Sequence, residues 1–290
     1  MRRFLLLATT FSIAYACSGQ DVNLVQITEG KDTYKYPAWS PQEGYMAVES
    51  SREGNWDIYL IKLEDRSMAR LTDDPADDRY PTWDPTGVRL LFQSNRSGKP
   101  ELYVLNMQTK ETSLLGKVDG EEMFPDWSPD GQKIAFSMAV DSASQIIVLD
   151  AAGTSQMVAE SPFDSVWPRW SPDNTLLAFY SRRDTNGKDD ELYVANPAAG
   201  TIRRLTNRPG PDVYPTWSPS GDEIASIAIE LDGTRMLQII PLKGERQRSL
   251  KTPMFRMTEP DWSPDGKFIA VSARKTKADP YQIFVVKVDQ

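Results

Sequence analysis

Short runs of β-branched and aromatic residues alternate with clusters of Pro, Gly and Asp along this chain, and no stretch sustains a helical period. The pattern predicts strands throughout and no helix after the N-terminal apolar run. In the first full unit the predicted strands are A over 36–40, B over 45–50, C over 57–63 and D over 68–72, with turns at 41–44 and 52–55. The same grammar places later B strands at 88–93, 133–137, 176–180, 223–227 and 267–272. Later C strands fall at 102–105, 146–149, 192–195, 237–241 and 283–288.

The units are copies of one motif, Pro-x-Trp-Ser/Asp-Pro, usually followed by Asp/Ser/Thr-Gly. Its tryptophans are Trp39, Trp83, Trp127, Trp170, Trp217 and Trp262, spaced by 44, 44, 43, 47 and 45 residues. A period of this length is the signature of a propeller blade. Six copies tile residues 24–290 as one domain. The last copy stops after strand C, whereas an orphan strand, Leu24–Thr28, precedes the first A strand and matches Arg70-Leu71-Thr72 and Arg204-Leu205-Thr206. The expectation is an all-β, six-bladed β-propeller of four-stranded blades, closed by the N-terminal strand joining the last blade, which leaves no free sheet edge.

The repeated residues have structural reasons. A motif Trp buries a large apolar surface between adjacent blades near the axis. Pro presets one backbone angle of the turn and Gly accepts a positive one, with Asn174 replacing Gly in blade four. Trp56 and Trp167 lie outside the motif position, so their truncation is expected to cost less. In the B–C turns Arg52 precedes Asp57, Arg96 precedes Glu101 and Arg182 precedes Glu191, which predicts ion pairs across each hairpin.

Composition narrows the function. A formal charge of −8 argues against nucleic acid. The absence of histidine removes Ser-His-Asp and Cys-His nucleophile systems and imidazole zinc sites. The single cysteine, Cys17, follows a charged start and a short apolar run too brief to span a membrane. Residues 1–16 read as an export signal and 17–23 as a polar tether. Ala14-Tyr15-Ala16 fits ordinary signal cleavage, whereas Ala16-Cys17 resembles a lipobox with Cys17 as the lipidated residue; the position of the lone cysteine favours the lipoprotein. The protein is then exported to the periplasm or outer membrane, lipid-anchored and monomeric.

Trp127-Ser128-Pro129-Asp130-Gly131 and Trp262-Ser263-Pro264-Asp265-Gly266, with the Ser-x-Arg-x-Gly, Leu-Tyr-Val and Arg-Leu-Thr segments, resemble the repeat of the TolB propeller family. The resemblance covers residues 24–290. It implies a six-bladed ring in the bacterial envelope that binds a protein partner at one face. Because the repeat begins within a few residues of the leader, neither the TolB N-terminal α/β domain nor the segment that contacts an inner-membrane partner is expected. Gated peptidases with this repeat need a hydrolase domain with a catalytic histidine, and oligogalacturonate lyases with a similar repeat rely on histidine metal sites.

With strand A innermost, the D–A and B–C loops share one face and the A–B and C–D turns the other. The turn face is repetitive, and the variable loop face is where binding is expected. In the ten residues ending at each motif Pro, acids outnumber bases 13 to 7, which suits a partner with a basic or mixed surface. Just before the motif Pro stand Tyr36, Tyr80, Phe124, Trp167 and Tyr214, with Glu259 breaking the series. These five aromatics are expected to ring the channel mouth, with acids including Asp78, Asp119, Glu122 and Asp212 beside them, as a binding patch. No catalytic residue is singled out and no cofactor is implied. Clustered carboxylates make calcium a candidate, although they lack a recognisable ligand pattern. The reading is a non-enzymatic protein-binding module. The alternatives are a carbohydrate-binding or carboxylate-dependent glycan-acting propeller, which would need two facing acids, and a pure scaffold.

Overall fold

The computed structural model describes residues 24–116, 118, 120–243, 247–250 and 252–288. The leader, the tether with Cys17 and the loop acid Asp119 lie outside the described residues. Twenty-four strands form six four-stranded antiparallel sheets, and among the described residues there is no helix. Blade one is Tyr34–Trp39, Tyr45–Ser50, Asp57–Lys62 and Met68–Arg70, hydrogen-bonded in that order. Blades two to five repeat it.

Blade six combines both ends of the chain. Arg256–Trp262, Phe268–Arg274 and Gln282–Lys287 supply strands A to C, and Leu24–Gln26 supplies strand D, with Leu24 opposite Val286 and Gln26 opposite Phe284. Beyond that ladder the Thr28 hydroxyl accepts the Ile283 N–H at 2.9 Å. Thr72 caps the Ile58 N–H and Thr206 the Leu192 N–H in the same way, each at 3.0 Å. D strands span three or four residues and are shorter than the sequence pattern predicts; in blades one, four and six a Thr side chain makes the bond beyond the strand end.

The motif tryptophans lie in the seams between blades. Trp83 packs on Ala38, Ala47 and Ile58 of blade one and on Leu90, Phe92 and Leu105 of blade two. Its indole N–H donates to the Ala38 carbonyl of the preceding blade at 3.2 Å, and Trp217 donates likewise to Arg169 at 2.9 Å. Sheets that each expose two apolar faces are thus sealed around the ring, every buried aromatic contributing about 2–3 kcal/mol of apolar transfer.

The turn face satisfies its own polar groups. In blade three the Ser128 hydroxyl donates to Asp130 at 2.6 Å and accepts the Lys133 N–H at 2.8 Å, and Gly131 takes φ +69°. Asn174 adopts φ +62° at the equivalent place in blade four. The B–C hairpin pairs are not the expected ones. Asp57 pairs with Arg70 at 2.6 Å and Glu191 with Arg204 at 2.8 Å, both on strand D, whereas Arg96 binds Asp78 at 2.9 Å and Arg182 binds Asp190 at 3.0 Å. Strand C side chains on that face point at the neighbouring D strand, so a hairpin-loop Arg meets strand A or its own loop instead.

Candidate functional site

Strand A of every blade carries the same irregularity. Its register against strand B shifts across two residues, as between Lys35 and Ala38 in blade one, so that two residues of A oppose one of B. The first of the two is the residue before the motif Pro. It takes a left-handed backbone in all six blades: Tyr36 (+52°), Tyr80 (+56°), Phe124 (+53°), Trp167 (+65°), Tyr214 (+59°) and Glu259 (+49°). For a non-glycine residue this costs on the order of 1–3 kcal/mol, and the following Pro disfavours the right-handed helical alternative. The preceding blade helps to hold it. The Tyr80 N–H donates to Glu49 at 3.1 Å, and those of Tyr36 and Trp167 donate to the hydroxyls of Ser272 and Ser137 at 3.0 Å.

The bulge turns the five aromatic side chains onto the propeller axis. Ring centroids lie 4.5 Å apart for Tyr36 and Tyr80, 4.7 Å for Tyr80 and Phe124, 4.7 Å for Phe124 and Trp167, and 4.8 Å for Trp167 and Tyr214. Trp167 also stacks on Tyr36 of the opposite side at 5.4 Å and is 3% exposed. The expected ring of aromatics is thus brought together, but as a plug across the channel rather than a rim around an open mouth. A void of about 10 Å³, room for one water, remains among the plug, the motif prolines, Arg169 and Glu259.

The three acids expected beside the aromatics stand five residues before a motif Trp and are buried in the blade seams, not displayed. Asp78 accepts two bonds of 2.9 Å from Arg96. Asp212 accepts from Arg208 at 2.8 Å and from Gln238 at 2.7 Å. Glu122 accepts the Leu102 N–H at 3.0 Å, while its other oxygen has no partner. Blade two has Gly116 where blades one, four and six have the capping Thr, and the Glu122 carboxyl occupies the place of that hydroxyl. Burial pushes its pKa up to about 7. Deeper in the channel Asp126 and Asp261 accept the backbone N–H groups of Trp170 and Trp39, at 2.7 and 2.8 Å. Burial raises both, Asp261 to about 6, against the lowering effect of Arg169. Among the described residues no group of three His, Cys, Asp or Glu is arranged to hold a metal.

The loop face carries its concave part over blades four and five. A cavity of about 320 Å³ between blades four and five is lined by Tyr180, Tyr214, Val213, Ile229, Asp164 and the Arg182–Asp190 pair. Tyr180 stands edge-on to Tyr214 with centroids 5.8 Å apart, joining this cavity to the plug. Burial raises both phenols, Tyr214 to about 12. Two residues beyond Ile229 of the cavity lining, the blade-five B–C hairpin exposes 83% of Leu231, and the loop entering blade six exposes 49% of Phe255. The sequence reading missed these residues. Tyr180 had a signal: it occupies the strand B position held by Glu49, Gln93, Ser137, Ile227 and Ser272 in the other blades.

No curated protein matches the chain in sequence. Solved structures share its fold at low identity. A TolB candidate from Agrobacterium tumefaciens superposes with a TM-score of 0.72 at 18% identity, covering 92% of this chain and 97% of that one. TolB from Acinetobacter baumannii gives 0.65 at 16% identity, covering 90% of this chain, which spans 65% of that longer one. An oligogalacturonate lyase from Vibrio parahaemolyticus gives 0.69 at 13% identity, covering 95% and 96%. The profile of the family described as TolB beta propeller domain matches residues 20–120 and 113–290. With six bladed sheets and a family match along nearly its whole length, the chain belongs to the TolB β-propeller domain family.

Proposed function

We propose that this protein is a non-enzymatic, protein-binding propeller of the bacterial envelope, docking its partner on the D–A/B–C loop face. The observation that carries the reading is the contrast between the faces. The loop face exposes Leu231 and Phe255 and carries a cavity, whereas the turn face consists of turns that consume their own hydrogen-bonding groups. Exposed apolar anchors beside a concave site describe a protein interface. Tyr36, Tyr80, Phe124, Trp167 and Tyr214 form the rigid floor, with Asp78, Glu122 and Asp212 fixing the strand starts beneath it. The protein acts as a monomer without a cofactor.

Export and lipidation at Cys17 complete the reading. Leu24 pairs near the end of strand C, at the turn face. Six residues separate Cys17 from Leu24 and reach about 20 Å extended. A lipid anchor there sets the turn face toward the membrane and the loop face away from it.

One observation favours a glycan-acting propeller: Asp126 and Asp261 are two desolvated channel carboxylates flanking Arg169. Both are held by backbone N–H groups behind the aromatic plug, an arrangement suited to linking blades. Affinity capture from envelope extract tests the main reading. Leu231→Asp with Phe255→Asp should lose the captured protein, and Asp130→Lys on the turn face should keep it. Capture lost only with Asp130→Lys, or hydrolysis of an oligosaccharide that depends on Asp261, would overturn it.

A further inference from the structure

The chain carries a net charge of −8, and its arginines are mostly matched with acids. Arg70 binds Asp57, Arg79 binds Glu49, Arg96 binds Asp78 and Arg208 binds Asp212, each within 3.0 Å. Arg66, Arg183 and Arg203 also lack an acid but stand on separate turns and strands of blades one and four, whereas Arg235, Arg256 and Arg274 share both the lack and a place. Among the described residues no carboxylate forms an ion pair with any of them. They nevertheless converge on one corner of the loop face, where the blade-five hairpin meets blade six.

The geometry of that corner is unfavourable without a counter-anion. Arg256 and Arg274 are direct cross-strand partners, and like charges so placed repel. Arg235 is partly buried, and its one side-chain bond is a long one from Nη1 to the Met257 carbonyl at 3.4 Å. Burial and the neighbouring Arg256 both hold its pKa below the ordinary arginine value. Arg274 stacks over Tyr281 and Phe255, at 5.0 and 5.4 Å from the ring centroids, its Nη1 donates to the Lys277 carbonyl at 3.1 Å, and its buried Nε has no partner. Stacking orients its guanidinium and leaves the Nη2 end for a ligand. Glu259, the acid nearest this corner in the channel, is engaged by Lys35 at 3.2 Å.

Guanidinium forks recognise planar carboxylates, and desolvation strengthens the bond. Two exposed apolar side chains frame the same corner: Leu231 lies in the hairpin that ends at Arg235, and Phe255 immediately precedes Arg256. An aliphatic tip such as Leu231 gains nothing from a sugar acid or free phosphate but packs on apolar side chains. We propose that Arg235, Arg256 and Arg274 form a carboxylate-recognition corner that receives an acidic segment of the partner protein, with Leu231 and Phe255 gripping apolar residues between its acids. This rests on the protein-docking reading and specifies the partner's chemistry. It departs from the expectation of a basic partner drawn from the excess of loop acids, because Asp78, Asp212 and Glu259 are internally paired and the charge left uncompensated at this corner is cationic.

The test is calorimetric titration of the mature chain with the blocked peptide Glu-Leu-Glu-Leu, using Gln-Leu-Gln-Leu, digalacturonate and inorganic phosphate as comparisons. The acidic peptide should bind at least about tenfold more tightly than each of them. Its affinity should fall with salt, and should drop about tenfold or more in Arg235→Gln with Arg256→Gln while the melting temperature holds. Arg256→Glu with Arg274→Glu should instead favour a Lys-Leu-Lys-Leu peptide. Equal binding of the Gln peptide, tighter binding of digalacturonate or phosphate, or indifference to the arginine substitutions would overturn the proposal. If loop-face substitutions abolish envelope capture but the acidic peptide does not bind, this inference fails alone. If the peptide binds but capture does not depend on the loop face, the docking reading fails alone.

Discussion

Thr28 and Ile283 stand 255 residues apart in the chain and are joined by a 2.9 Å bond from the Ile283 N–H to the Thr28 hydroxyl. The contact repeats, between chain termini, the cap that Thr72 and Thr206 make within their own blades. It marks the point where the ring closes. Thr28→Val keeps the shape and removes the acceptor, and should cost about 1–2 kcal/mol in urea unfolding. Deleting residues 24–28 should cost far more, because it exposes the edge of strand C in blade six. An unchanged midpoint for the deletion would count against closure.

The tryptophans separate into two structural roles. Trp127→Ala should cost about 3–5 kcal/mol by opening a cavity between blades two and three. Trp167 is outside the motif position, yet it is more deeply buried than the motif tryptophans and touches four other rings of the plug. Its truncation should therefore cost a comparable amount, contrary to what its sequence position suggests. Trp56 is half-buried under Arg79, 4.6 Å from the guanidinium, and Trp56→Ala should cost less than either. Equal losses for Trp56→Ala and Trp127→Ala would contradict these assignments.

Glu122 makes stability depend on pH. Burial raises its pKa in the folded protein to about 7, above the unfolded value of about 4.3. The folded state then holds the proton more tightly, so this contribution is fully present below about pH 4 and is lost as pH rises through 7. Glu122→Gln keeps the acceptor for the Leu102 N–H without a charge. The variant should gain on the order of 2–3 kcal/mol over the wild type at pH 8 and almost nothing at pH 4. A difference that does not change between the two pH values would show that Glu122 does not carry this linkage.

Much of this was legible in the residues themselves. Six Pro-x-Trp motifs and one displaced Leu24–Thr28 strand were sufficient to write the blade count and the closure, because both depend on local turn chemistry and strand counting. The five pre-proline aromatics were legible as a set. Their convergence into a plug was not, because it depends on a left-handed backbone that no residue type announces and that neighbouring blades stabilise through Glu49, Ser137 and Ser272. The burial of Asp78, Glu122 and Asp212 was hidden for a related reason. Their partners Arg96, Leu102, Arg208 and Gln238 come from loops and strands 4 to 26 residues away. The cluster of Arg235, Arg256 and Arg274 became visible only once the strand pairing had brought the three side by side.

The central claim is that a partner protein docks on the loop face. The most direct measurement places a photo-crosslinking residue singly at Leu231, Phe255, Asp130 or Asp265 in the full chain, irradiates intact cells and identifies adducts by mass spectrometry. The account predicts one shared protein adduct from Leu231 and Phe255 and none from the turn-face positions Asp130 and Asp265. That adduct arising from Asp130 or Asp265, with Leu231 and Phe255 silent, would contradict it.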